Sequence, residues 1–115
     1  MSVIKYLCDN LESLGYEVFL QGTFSGDEYP DNFITYICND SPEGDHYDDE
    51  PQNWIWQFTV IFYSRNPYFL ETVPDAIRAR LKAAGFIPQG KGLNVFSDDP
   101  NVSGWSTDYL FKEQN

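Results

Sequence analysis

Residues 54–63, Trp-Ile-Trp-Gln-Phe-Thr-Val-Ile-Phe-Tyr, alternate without a break. Successive strand side chains point to opposite faces. Trp54, Trp56, Phe58, Val60 and Phe62 therefore share one wholly apolar face, and the other face is mixed. Ten extended residues span about 33 Å, longer than most strands, so this segment is expected at the centre of a sheet, with at least Phe58, Val60 and Phe62 against helices. A helical period governs residues 3–14, where Val3, Leu7, Leu11 and Leu14 form a stripe with Ile4 and Cys8 beside it. Ser2 suits its N-cap and Gly15 its C′ position.

Further strands are expected at 17–20, 33–38, 93–96 and 105–111. The first two would pair as a hairpin with a wide connection. In the last, Trp105, Thr107, Tyr109 and Phe111 share a face, and the tail beyond it is expected to fray. A second helix covers 72–84, preceded by a turn at 67–71. Pro74 inside a helix begun at Pro67 would cost about 3 kcal/mol, whereas in the first turn after a Thr72 cap it costs little. Thr72-x-x-Asp75 approximates a capping box, and Gly85 ends the helix. The order predicts one α+β domain over residues 1–115, with a mixed or mainly antiparallel sheet of about five strands and both helices packed on it. The helix between the third and fourth strands allows a parallel, right-handed crossover. The 33–38 strand, lacking acids of its own, would be a weakly guarded edge if left uncovered.

Charge narrows the function classes. Eighteen acids against seven bases give a net −11. That disfavours a phosphate backbone or an anionic membrane as partner, and permits a basic protein, a cation or mere solubility. No signal-peptide pattern and no long apolar window occur, so a reducing cytoplasm is expected, with Cys8 and Cys38 as two buried thiols. Two cysteines and one histidine cannot close a four-ligand zinc site of Cys and His.

Candidate chemistry is sparse. The 39–53 segment has no period and holds six acids. Asp45, Asp48, Asp49 and Glu50 are hard oxygen donors without the spacing of a calcium loop, so a solvated acidic loop is the expectation. His46, between Asp45 and Tyr47, has a carboxylate to orient it but no nucleophile beside it. Gly90-Lys91-Gly92 is too short for a phosphate loop and reads as a turn. The aromatic residues, without a basic groove, suit a core and an interface better than base stacking. No enzyme, no cofactor and no small-molecule substrate is expected. The contact elements are the long strand, the acidic loop and the loops near Lys91 and Asp98-Asp99.

Four pieces in order carry a resemblance. They are Asp45-His46-Tyr47-Asp48, then Trp56 to Phe62-Tyr63-Ser64, then Leu81-Lys82-Ala83-Ala84-Gly85-Phe86, then Gly90-Lys91-Gly92 running on to Ser97-Asp98-Asp99-Pro100. Over residues 30–111 the chain resembles small proteins from the tail-assembly region of long-tailed phages and prophages of Gram-positive bacteria, including tail terminators. Val102-Ser103-Gly104-Trp105 departs from that family, which has a basic residue before the last strand. The resemblance implies a tail-terminator-like fold and a virion assembly role. It also implies a ring-forming homo-oligomer, commonly a hexamer, that meets tail-tube or head-connector proteins, first in the host cytoplasm and then in the virion tail. On that reading Asp45, His46, Tyr47, Asp48, Asp49, Arg65, Lys91, Asp98 and Asp99 are the partner-binding set, with Arg65 and Lys91 forming charge pairs between subunits. The competing reading is an acidic inhibitor, a DNA mimic or immunity-type protein. The acids fall in loops rather than along one face, which suits a mimic less well.

Overall fold

The computed structural model of the chain describes residues 2–21, 30–39, 53–97 and 101–114. Helix α1 (Val3–Glu12) begins where the Ser2 hydroxyl oxygen accepts the Lys5 backbone N–H at 3.2 Å. It buries Val3, Leu7 and Leu11, one face at helical spacing. Gly15, at φ +93°, turns the chain into strand β1 (Glu17–Leu20). Strand β2 is Asn32–Asn39 and strand β3 is Asn53–Ser64. A short 3-10 helix (Pro67–Glu71) follows, capped by the Asn66 side chain, whose Oδ1 accepts the Tyr68 N–H at 3.0 Å.

Helix α2 (Val73–Ala83) carries Pro74 in its first turn, where no hydrogen bond is lost. Thr72 occupies the N-cap, but its side chain makes no capping bond. Its backbone is already helical, continuing the 3-10 turn, so the expected capping box does not form. The other end closes in a Schellman arrangement. Phe86 N–H bonds Leu81 C=O at 2.9 Å and Gly85 N–H bonds Lys82 C=O at 3.1 Å, with Gly85 at φ +100°. Strand β4 (Ile87–Phe96) and strand β5 (Ser103–Gln114) complete the chain.

The five strands form one mixed sheet in the order β1-β2-β3-β5-β4. β3 is central and antiparallel to both neighbours. β3 and β4 run parallel with β5 inserted between them, so the α2 connection is a crossover to a non-adjacent strand. Both helices pack on one face. There Ile34, Phe58, Val60, Phe62, Tyr109 and Phe111 meet Leu7, Leu11, Ile77, Leu81 and Phe86. Phe86 ties the layers together, its ring 4.6 Å from Phe111 and 5.8 Å from Tyr6. No helix of the described residues is long and apolar enough to cross a membrane.

Four expectations about the strands need correction. β1 and β2 are parallel, not a hairpin, with Glu17 opposite Phe33 and Leu20 opposite Tyr36. Alternation along a strand is the same in either direction, so pattern alone cannot choose. β2 is consequently interior, and the edges are β1 and β4. Gly90-Lys91-Gly92 is no turn but an irregularity inside β4, where the register shifts between Gln89 and Leu93. The C-terminal tail is strand through Gln114, because it pairs with the start of β3 and Trp56 Nε1–H donates to Glu113 Oε1 at 3.0 Å.

Candidate interaction surface

No described helix covers the second face of the sheet. The register lays its side chains out in rows across β2, β3, β5 and β4. Phe33, Tyr63, Gly104 and Val95 form one row; Thr35, Ile61, Ser106 and Leu93 the next. Ile37, Thr59, Asp108 and Gln89 follow, then Asn39, Gln57, Leu110 and Ile87. The first rows make a small second core. Phe33 and Tyr63 stack at 5.0 Å, Phe19 meets Phe33 edge-on, and Ile61 and Val102 are buried with them. Gly104 makes room for this packing: a Cβ there would stand 2.8 Å from the Tyr63 ring and from Val95.

The following rows are amphipathic. A hydrogen-bonded chain crosses three strands, from Asn39 Nδ2–H to Thr59 Oγ1 at 2.8 Å and from Thr59 Oγ1–H to Asp108 Oδ1 at 2.7 Å. Around it Ile37, Ile87 and Leu93 are exposed, Leu93 by 61%. The chain links Asn39, Thr59 and Asp108 within the sheet, so polar and apolar side chains alternate on this face.

The edge at β4 is irregular by construction. Gly90 and Gly92 both take positive φ, +86° and +93°, conformations that L side chains rarely adopt. The Lys91 carbonyl accepts the Trp105 Nε1–H at 2.8 Å, which pins the irregularity to β5. Pro88, the exposed Lys91 and this kink are the devices by which edge strands resist unwanted pairing. They guard the first half of β4. The second half, Leu93–Phe96, is regular, and Phe96 is 98% exposed. At the opposite side of the sheet an open groove of about 460 Å³ lies at the corner between α1 and β1. Glu12, Gly15, Tyr16, Glu17, Val18 and Phe19 line it.

The expected partner-binding residues divide into two groups. Asp45, His46, Tyr47, Asp48, Asp49, Asp98 and Asp99 lie outside the described residues. Arg65, just past β3, makes an ion pair within the chain, its Nε 3.3 Å from Asp31 Oδ1, and its backbone N–H bonds Asp31 C=O at 2.9 Å. Lys91 projects from the β4 edge with no ion pair among the described residues. The structure thus does not bring Arg65 and Lys91 together: Arg65 follows the end of β3 and Lys91 lies within β4. Ile87, Leu93 and Phe96 were not singled out by sequence. The available signal was Pro88 and Lys91 in a β segment, a combination that marks an edge.

Burial pushes the Tyr109 hydroxyl up to about 12, against the opposing pull of the Arg78 charge and a hydrogen bond to Thr107. Arg78 Nε is itself buried without a hydrogen-bond partner among the described residues. Cys8 and Cys38 are not joined in a disulfide and are half-buried rather than fully buried. Burial raises the Cys8 thiol, so it holds its proton at neutral pH, although a hydrogen bond with Tyr36 acts the other way. Among the described residues no three His, Cys, Asp or Glu side chains gather as a metal site.

The chain matches no family model and no curated protein.

Proposed function

We propose that this protein is a tail-terminator-like assembly factor of a long-tailed phage or prophage, acting through ring-forming contacts between copies and not through catalysis. The observation that carries the reading is the exposed half-edge of β4, where Leu93 and Phe96 stand in solvent on a strand paired on one side. Backbone donors and acceptors at such an edge, with apolar side chains beside them, are fit for another protein chain. The mixed sheet with two helices agrees with the architecture that the resemblance implies. A contact repeated head to tail closes into a ring when its rotation permits. The partners are further copies, commonly six, and tail-tube or head-connector proteins. The place of action is the host cytoplasm during assembly and then the virion tail.

Light scattering over a concentration series, with and without purified tail tubes, tests this. The expected result is a discrete multimer at high concentration or on addition of tubes. A strict monomer that ignores tubes overturns it, and nuclease inhibition by that monomer supports the acidic-mimic reading instead.

A further inference from the structure

The charge of the chain is sharply divided along its sequence. Residues 76–97 carry Arg78, Arg80, Lys82 and Lys91 and no acid. Those four of the seven bases leave three bases against all 18 acids in the rest of the chain, a formal +4 beside −15. The basic run is structurally one unit: the body of α2, the Schellman turn and the edge strand β4, with α2 packed against β4. Arg80, Lys82 and Lys91 are exposed and enter no ion pair among the described residues.

The opposite side of the sheet has the opposite sign. There α1 ends and β1 forms the other outer strand. Lys5 is paired with Asp9 at 2.9 Å, which leaves Glu12 and Glu17 exposed without an ion pair among the described residues. These two residues line the groove together with Tyr16, Val18 and Phe19. One side thus offers Leu93 and Phe96, on opposite faces of the β4 edge, with a lysine; the other offers an open depression of mixed polar and apolar lining bordered by two acids.

We infer that the α2–β4 side of one copy docks on the α1–β1 groove of the next. Leu93 and Phe96 supply the apolar contact, and Lys82 and Lys91 face Glu12 and Glu17. The occupant is a second copy because its own two sides are complementary in sign, which a same-to-same contact across a two-fold axis would not exploit. Such a contact is heterologous and repeats. A protein at −11 would otherwise repel its own copies, so the side that bears the acid-free run 76–97 is what permits approach. The inference rests on the self-associating reading above and specifies its geometry.

A charge-swap experiment separates the two claims. One variant carries Lys82→Glu and Lys91→Glu; the second carries Glu12→Lys and Glu17→Lys. Both substitute exposed positions, and circular dichroism with thermal melting establishes that each folds. Under conditions where the native protein associates, each variant alone should set like charges against each other at the four exchanged positions and stay monomeric, with at least a tenfold weaker association. An equimolar mixture should recover multimers with alternating composition, since each variant presents the side the other needs. Association of either variant alone at native strength, or no recovery in the mixture, overturns this docking geometry while self-association stands. Failure of the native protein to associate even with tail tubes removes both.

Discussion

Tyr109 shows how a single buried residue sets a pH limit on the fold. Its ring is 1% exposed beneath α2, and its hydroxyl is raised to about 12 by burial. An unfolded tyrosine titrates near 10. The folded state therefore holds the proton more tightly. Its contribution is fully present below about pH 10 and is lost as pH rises toward 12. Two units correspond to about 3 kcal/mol. Urea unfolding between pH 9 and 12 should show a steeper loss for the native chain than for Tyr109→Phe, which cannot ionise there. Equal slopes would mean that the other tyrosines account for alkaline unfolding. A second residue-scale test compares two glycines. At Gly92 a Cβ would strike Thr107 Oγ1 at 2.5 Å and the Ser106 carbonyl, while at Gly90 it meets nothing within 4 Å. Both have positive φ, worth about 1–3 kcal/mol to an L side chain. Gly92→Ala should therefore destabilise measurably more than Gly90→Ala in denaturant melts, because β5 backbone must move as well.

At the scale of elements, legibility followed the strength of the local pattern. β3 was readable because alternation is decisive for a strand with one apolar face: Phe58, Val60 and Phe62 are buried against the helices, while Trp54 at the strand's start is 53% exposed. Phe58→Ala should cost about 3–5 kcal/mol in equilibrium unfolding, since the ring is fully buried and packs on Trp56 and Phe86. A cost below 1 kcal/mol would mean that the site collapses around the cavity. α1 and α2 were readable from their stripes and from Ser2, Pro74 and Gly85. What failed depends on partners distant in sequence. Nothing in Glu17–Leu20 states that Phe33–Tyr36 will lie beside it in parallel. Nothing in Lys112-Glu113 reveals that Ile55 and Trp54 await it. Gly90-Lys91-Gly92 deceived for a different reason. Positive φ serves turns and strand irregularities alike, and only the Trp105 indole bond to Lys91 selects the second. The candidate surface was the least legible part, since exposure of Leu93 and Phe96 follows from the strand order and not from their identity.

At the scale of the whole molecule, charge acts on folding and on association with opposite signs. Within one copy, 18 acids against seven bases repel one another. Screening that repulsion favours the compact state. Between copies, a basic side meeting an acidic side attracts, and screening weakens it. The two outer strands of a five-stranded sheet lie about 19 Å apart at the usual strand spacing. That is roughly twice the Debye length at physiological ionic strength, so the two charged sides act nearly independently there. Raising salt from about 20 mM to 500 mM should therefore raise the melting temperature of the dilute monomer. Over the same range the multimer should give way to monomer in sedimentation velocity. Apolar burial alone would tend the other way, since salts that strengthen it would promote association. A multimer that grows with salt would place the contact on the apolar rows of the face that no described helix covers, around Ile37 and Ile87, and not on the charged sides of the sheet.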